Sequence, residues 1–139
     1  MGTYQMEQGW CFIAPDGWIA QQDSVDRHYL FYPKDSDLTL HMTPWRVEKD
    51  GQPAPAEVMM GAFLRGIPED AVPISGLACR LENFAVKGFA FWRKEQGQRV
   101  YRRLIGYYKP GELLSVGIFG TLEQECDKAL ELLAGLQKR

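Results

Sequence analysis

Residues 84–119 of the chain read FAVKGFAFWRKEQGQRVYRRLIGYYKPGELLSVGIF, and this stretch decides the fold. Three strand-like runs follow one another in it, over residues 84–95, 99–108 and 112–119. The dipeptides Gln96-Gly97 and Pro110-Gly111 separate these runs, and dipeptides of this kind close tight reversals of the chain. The stretch therefore predicts an antiparallel meander of three strands.

The two faces of this meander follow from its turns. If each dipeptide forms the centre of a tight turn, the predicted cross-strand pairs are Trp92–Tyr101, Phe91–Arg102, Phe89–Leu104, Ile105–Val116 and Gly106–Ser115. One face then carries Trp92, Tyr101, Ile105, Tyr107, Leu114, Val116 and Ile118, and the other carries Phe89, Phe91, Val100, Leu104, Tyr108, Leu113 and Phe119. Small residues cluster on the second face at Gly106, Ser115 and Gly117, where they would let a helix approach closely. Because a sheet with one solvated face alternates apolar with polar residues, we expect both faces to be covered.

Turn and helix signals divide the rest of the chain. Further strands are predicted over residues 10–14, 27–32, 37–43, 71–74 and 77–81. Pro53-Ala54-Pro55 introduces a helix of about three turns. A second helix starts at Thr121, whose hydroxyl can cap it while Gln124 returns the bond. Its apolar stripe is Leu122, Cys126, Ala129, Leu130, Leu133 and Leu136. We predict one α+β domain over residues 1–139, with an antiparallel sheet of about six or seven strands and helices packed on it, including a C-terminal helix.

Composition and charge exclude several classes of protein. The chain has 139 residues, a net charge of −2 and 45% hydrophobic residues, which are values of an ordinary globular domain. No run approaches the length of a membrane span, and residues 1–9 have neither the basic start nor the apolar core of a signal peptide. Three widely spaced cysteines, Cys11, Cys79 and Cys126, fit reduced thiols better than a disulfide frame or a zinc site. These features predict a cytoplasmic protein.

The segment Phe12-Ile13-Ala14-Pro15-Asp16-Gly17-Trp18 is an apolar strand that runs into a Pro-x-Gly-Trp turn. Together with the order of the other elements, it resembles the PsbP-like fold, shared by the photosystem subunit PsbP, the Ran-binding Mog proteins and many small bacterial proteins. The resemblance in element order covers most of the chain, but the turn is its one sequence motif. It implies a non-enzymatic protein that binds other proteins, with Trp18 as a core anchor. No binding residues can be carried over from it.

Two histidines and the cysteines are the candidates for catalysis or metal binding. His28 and His41, with Cys79 or a carboxylate, could make a metal or acid–base site, but no HxxxH or CxxC spacing supports it. Two ordinary strand histidines fit the sequence better. Nothing near Cys79 or Cys126 suggests an activating base for a nucleophile. We therefore predict no catalytic residue, no metal ligand and no cofactor.

Residues 87–109, which we name the basic hairpin, concentrate positive charge. They hold seven bases and the single acid Glu95, with aromatic residues between them. Surfaces that dock acidic proteins and surfaces that stack nucleic-acid bases both use this combination. The alternative is that these bases are simply solvated. The predicted partner-binding residues are Trp92, Arg93, Arg99, Tyr101, Arg102 and Arg103, and a protein with an acidic surface is favoured over nucleic acid, with no membrane partner.

Arg102 and Arg103 are consecutive and so point to opposite faces of the middle strand. If both faces are covered, at least one of them enters an apolar region, where an unpaired guanidinium is too costly. Our candidates for an internal partner are the acids near the start of the last helix, Glu123, Glu125 and Asp127. If both arginines were sealed inside, the interaction site would lose its centre.

The sequence favours a non-enzymatic binding or interaction protein that acts through the basic hairpin, for example a bacterial accessory or immunity-type protein. The alternative is a small-ligand binder or enzyme with a pocket between the sheet and the first helix, lined by Met59, Met60 and Trp18. A concave pocket with convergent polar groups would favour the alternative. A filled core at that place would favour the interaction protein.

Overall fold

The computed structural model of the protein describes residues 2–23, 25 and 27–139. Its strands are β1 (Gly2–Gln5), β2 (Trp10–Ala14), β3 (Trp18–Asp23), β4 (His28–Pro33), β5 (Thr39–Arg46), β6 (Glu48–Lys49), β7 (Gln52–Pro53), β8 (Val72–Pro73), β9 (Ala85–Glu95), β10 (Gln98–Lys109), β11 (Glu112–Gly120) and β12 (Leu136–Lys138). Its helices are α1 (Ala56–Leu64) and α2 (Glu123–Leu132), with 3-10 turns at Glu7–Gly9 and Leu133–Gly135.

A seven-stranded antiparallel sheet forms the centre of the fold, in the order β3-β4-β5-β11-β10-β9-β8. The predicted meander is β9, β10 and β11. Strand β5 pairs with β11, so the N-terminal strands β3–β5 extend the sheet beyond the meander. The predicted α+β class, with its antiparallel sheet and C-terminal helix, is confirmed.

The meander has the predicted register. Trp92 lies opposite Tyr101, and Ile105 lies opposite Val116. The central residues of the first turn, Gln96-Gly97, adopt positive φ angles of 50° and 80°, which a two-residue turn between twisted strands requires. Because a slip of one residue would move every side chain to the other face, the observed pairs also confirm the predicted division into two faces.

The first face of the sheet carries the main core. It is covered by a small sheet, β1-β2-β12, and by α2. Trp10, Phe12 and Phe31 are fully buried here, and the rings of Phe12 and Phe31 meet edge to face at 4.9 Å. Burying one such side chain stabilises the fold by roughly 1.5–3 kcal/mol, so this face supplies most of the stability.

The second face is covered by α1, which crosses the middle of β10 and β11. Met59 and Phe63 of α1 are buried against the sheet. A Cβ atom on Gly106 would lie 2.7 Å from Cγ of Phe63, well inside the ~3.5 Å of a carbon–carbon contact, so the helix approaches because this position is glycine. The helix has only nine residues, and beyond it side chains such as His41 and Phe119 are half-buried. The first face is therefore covered over its main core, and the second face is covered only in part.

The C-terminal helix begins and ends differently from the prediction. Thr121 does not cap it, because the Thr121 hydroxyl donates to Asp37, and α2 starts at Glu123 without a side-chain cap. Leu122 is exposed instead of lying on an apolar stripe. The helix ends at Leu132, and Leu136 belongs to β12, where the extended chain pairs with β2 and is buried in the main core.

The predicted strands at residues 71–74 and 77–81 are mostly absent. Only Val72–Pro73 forms a ladder, as the short edge strand β8 beside β9. Proline has no backbone N–H to extend such a ladder. The following residues, Leu77, Cys79 and Leu81, pack on the main core without strand pairing.

An ion-pair cluster attaches the small sheet to the meander. Glu112 in β11 lies 2.7 Å from Nζ of Lys138 in β12 and 3.1 Å from Nζ of Lys109. Burial of the carboxyl raises its pKa, but hydrogen bonds from Lys138 and Lys109 outweigh this effect, and the pKa of Glu112 is lowered. The carboxylate is therefore ionised in the folded protein at neutral pH.

Candidate binding groove and basic hairpin

A groove of about 470 Å³ lies between α1 and the second face of the sheet. Pockets that bind small molecules usually measure ~300–1,000 Å³. Strands β5, β10 and β11 form the floor of the groove, and α1 with the chain that follows it forms a wall. Its main apolar side chains are Met59, Phe63, Ile67, Leu104, Leu113 and Phe119.

Three polar side chains, His41, Thr43 and Ser115, lie side by side on the floor of the groove. Thr43 is opposite Ser115 in the ladder between β5 and β11, and His41 is opposite Gly117. Opposite residues have Cβ atoms ~4.5–5.5 Å apart, so the hydroxyls of Thr43 and Ser115 can reach one ligand atom. Within residues 2–23, 25 and 27–139, none of the three side chains forms a hydrogen bond. Their donors and acceptors are therefore available to a molecule in the groove.

His41 is held as a neutral imidazole at the end of this row. Its ring meets Phe119 edge-on at 4.8 Å and lies 5.9 Å from the ring of His28. Burial lowers the pKa of His41, and the nearby His28 and Arg102 lower it further. The neutral ring carries one nitrogen that donates and one that accepts a hydrogen bond.

The rim of the groove carries exposed apolar side chains. Trp45 is 51% exposed and Val47 is 41% exposed, and both line the groove. Exposed apolar surface beside a concavity is typical of binding sites. Of the residues predicted to line a pocket here, Met59 does so, but Met60 is not part of the lining and Trp18 packs on the main core of the first face.

Arg93 and Arg102 of the basic hairpin lie on the second face with carboxylate partners. Arg93 donates two hydrogen bonds to Asp70, at 3.0 and 2.9 Å. Arg102 pairs with Glu95, and its guanidinium lies 4.8 Å from the ring centre of Phe119. Exposed ion pairs add only ~0–1 kcal/mol to stability, but they neutralise the charge that a partner would meet.

Arg103 lies on the first face and is only 6% exposed. Its Nε and one terminal nitrogen donate to Asp127 at 3.2 and 3.0 Å, and the same terminal nitrogen lies 3.4 Å from Glu123. Two of the three acids predicted as internal partners thus hold this guanidinium. The third, Glu125, accepts a hydrogen bond from Ser36 instead. Arg103 is enclosed in this structure, whereas Arg102 remains partly exposed.

Trp92, Arg99 and Tyr101 come together on the first face near the turn of the basic hairpin. Trp92 is 45% exposed, and the guanidinium of Arg99 lies 4.2 Å from its ring centre. Lys94 lies opposite Arg99 in the ladder between β9 and β10, and neither base contacts a carboxylate among the described residues. Tyr101 is half-buried against the main core. The structure thus divides the six predicted partner-binding residues between two faces and leaves unpaired charge beside Trp92.

The histidine–cysteine arrangement that the sequence disfavours is not assembled. His28 and His41 are neighbours on the second face, but Cys79 packs on the main core of the first. No group of three His, Cys, Asp or Glu side chains that could hold a metal occurs in the described part of the chain. The three cysteines are free, and burial raises the pKa of Cys126 to about 11, which disfavours the reactive thiolate.

Sequence reasoning did not find the polar row of the groove. The alternation of strand β5 places His41 and Thr43 on one face, and Ser115 lies in the small-residue cluster of the meander. What joins them is the pairing of β5 with β11, which are separated by some 70 residues along the chain. Such pairing depends on the packing of the whole sheet, and no local signal predicts it.

No protein-family model matches the sequence. No curated protein matches it either. Solved structures do match the fold. A crystal structure from Bacteroides thetaiotaomicron aligns with a TM-score of 0.69 at 13% identity over 94% of this chain and 45% of the other, so this chain spans less than half the length of that protein.

Two further solved structures align with the chain. LpqN, involved in cell envelope biogenesis of Mycobacterium tuberculosis, aligns with a TM-score of 0.52 at 14% identity, over 91% of this chain and 78% of LpqN. Cyanobacterial PsbP from Synechocystis aligns with a TM-score of 0.49 at 13% identity, over 99% of this chain and 92% of PsbP. The alignments with the Bacteroides structure and with LpqN agree with the predicted α+β fold. At these identities the likeness concerns the fold alone.

Neither α1 nor α2, the helices of the described chain, is long and apolar enough to span a membrane.

Proposed function

We propose that this protein is a non-enzymatic binding protein that holds a small, largely apolar molecule in the groove between α1 and the sheet. The observation that carries the proposal is the row of His41, Thr43 and Ser115 on the floor of an otherwise apolar groove. Binding sites for small molecules combine apolar walls with a few convergent polar groups in this way. The walls supply the affinity, and the polar row orients the ligand.

The chemistry of the row favours binding over catalysis. A general base needs a proton to abstract within hydrogen-bond reach, and a serine or threonine nucleophile needs an adjacent base. Among the described residues, His41 is hydrogen-bonded neither to Thr43 nor to Ser115, and its closest ring neighbours are His28 and Phe119. The row therefore offers hydrogen bonds without an activated nucleophile.

The proposal is tested with N-phenyl-1-naphthylamine, an uncharged dye whose emission rises in apolar surroundings. The parent protein should bind it saturably. Ser115→Leu places a larger apolar side chain on the groove floor and should weaken binding roughly tenfold, a change of about 1.4 kcal/mol. The matched control is Thr3→Leu, which adds a leucine at an exposed position of the small sheet. Absence of saturable binding, or equal loss in both variants, would sink the proposal.

A second proposal concerns the surface beside Trp92 in the basic hairpin, which would dock an acidic protein. The observation that favours it is the stacking of Arg99 on exposed Trp92, next to Lys94. Stacked arginine and tryptophan are frequent anchors of interfaces. The acidic partner is proposed from the charge of the basic hairpin and from this surface, and the cytoplasmic location is proposed from the sequence alone.

A fluorescent polyglutamate peptide is a suitable probe for this surface. The double variant Lys94→Glu, Arg99→Glu should abolish binding of the peptide, because both free charges are inverted. The control Lys49→Glu, in the β6 segment beside the Pro110-Gly111 turn at the other end of the meander, should leave binding unchanged. Binding should also weaken as salt rises, because the attraction is electrostatic. Peptide binding that survives the double variant would refute the docking surface. Capture of single-stranded DNA without capture of the peptide would replace the protein partner by nucleic acid.

A further inference from the structure

The charge around the groove restricts what the groove can hold. None of the described residues that line it is Asp, Glu, Lys or Arg. Arg102, whose guanidinium stacks over the lining residue Phe119, pairs with Glu95, so its charge is already balanced. His41 faces His28 from β4, Arg102 from β10 and Phe119 from β11, and the groove wall from α1 is apolar.

An anionic ligand would therefore lose its hydration without gaining a cation. Transfer of an unpaired carboxylate or phosphate into an apolar site is strongly unfavourable. An uncharged hydroxyl, amide or ester group meets a different situation. The hydroxyls of Thr43 and Ser115 can each donate and accept, and neutral His41 can do both through its two nitrogens.

From this arrangement, and resting on the proposed function, we infer that the groove selects an uncharged amphiphile: an apolar body with one neutral hydrogen-bonding group that meets Thr43 and Ser115. The apolar body lies along Met59 and Leu113. Fatty acids and other anionic amphiphiles of the same length are rejected.

The test uses two competitors of equal chain length against N-phenyl-1-naphthylamine, the neutral 1-decanol and the anionic decanoate. The alcohol should displace the dye at a concentration roughly tenfold lower than decanoate does. The double variant Thr43→Val, Ser115→Ala removes both hydroxyls. It should weaken the binding of 1-decanol about fivefold, which is the effect of one lost neutral hydrogen bond.

Because an alcohol is also more apolar than a carboxylate, a charge variant is needed. Ala62 is an exposed residue of α1 that lines the groove, whereas Val58 is exposed on α1 and is not among the groove-lining residues. Ala62→Lys should strengthen the binding of decanoate about fivefold, because it adds one partly exposed ion pair, and Val58→Lys should leave this binding unchanged. Circular dichroism of both variants checks that the helix is kept.

The outcomes separate this inference from the proposed function. If the dye does not bind, the groove is not a ligand site and the proposed function fails. If the dye binds but decanoate displaces it as well as 1-decanol does in the parent protein, the groove stands and the selection for uncharged ligands is overturned. Equal displacement by the alcohol in the parent and in the hydroxyl-free variant would overturn the role of Thr43 and Ser115.

Discussion

The contact between Gly106 and Phe63 provides a direct test of how α1 is held on the sheet. A Cβ atom on Gly106 would lie 2.7–2.9 Å from three atoms of the Phe63 ring. Carbon atoms prefer separations of about 3.5–4.0 Å, so Gly106→Ala must push the ring and α1 away from β10 by roughly 1 Å.

Two opposing terms set the size of the effect. Overpacking a close contact costs about 1–3 kcal/mol. Replacing glycine by alanine in a strand recovers about 0.5–1 kcal/mol, because the unfolded chain becomes less flexible. Gly106→Ala should therefore lower the free energy of unfolding by about 1–2 kcal/mol. Because α1 is a wall of the groove, the same variant should also weaken binding of N-phenyl-1-naphthylamine.

Gly61 on α1 is the matched control, since nothing lies within 4 Å of its potential Cβ atom. Gly61→Ala should raise the free energy of unfolding by about 0.5–1 kcal/mol, the ordinary gain in helix propensity. Urea unfolding followed by tryptophan fluorescence and circular dichroism measures both variants, and Phe63→Leu should relieve part of the defect in Gly106→Ala. If the two glycine variants shift stability in the same direction, Phe63 does not lie against β10 as the structure has it.

Three further predictions concern the core and its ion pairs. Glu112→Gln should lower the free energy of unfolding by roughly 1.5–3 kcal/mol at pH 7, because the charged contacts of Glu112 with Lys138 and Lys109 are lost. The folded-state pKa of Glu112 is lowered, so its contribution to stability is fully present above the unfolded-state pKa of about 4.3. This contribution is lost as the pH falls through the folded-state pKa, and the free energies of unfolding of parent and variant, measured by urea titration, should therefore converge in acid. Leu133→Asp buries a carboxylate in the main core and should leave little soluble protein; a variant that melts like the parent would contradict the packing of Leu133. A thiol reagent should modify half-buried Cys79 well before Cys126, which should react only after unfolding, and equal rates would show that Cys126 is accessible.

The meander could be predicted because its signals are local. Gln96-Gly97 and Pro110-Gly111 fix two turns, and each turn fixes a register through the strict alternation of strands. The same reasoning placed Arg102 and Arg103 on opposite faces and named Asp127 as a partner of the buried one. These inferences needed only neighbours along the chain and the position of the helix that follows.

The failures concern competition between distant segments. Leu136 continues the spacing of the apolar stripe of α2. In the structure its backbone pairs with β2 and its side chain is buried in the main core, so tertiary contacts outweigh the helical periodicity. Thr121 is a residue type that often caps helices, but its hydroxyl donates a hydrogen bond to Asp37, in the distant turn between β4 and β5. The charge balance of the basic hairpin changed for the same reason, because Asp70 lies 23 positions before Arg93 and meets it only across the sheet edge.

The second face of the sheet explains why a groove exists at all. Where α1 covers it, the position beneath the helix is Gly106, and the contact is close enough to exclude water. Beside this contact, the face presents His41, Thr43 and Ser115, which a fully packed apolar cover would leave without partners at a cost of about 1–3 kcal/mol for each group. Packing a further apolar element over these residues would therefore destabilise the fold. A small molecule that brings its own hydrogen-bonding group can cover the same surface without this penalty, so the short helix and the polar row act together as one site.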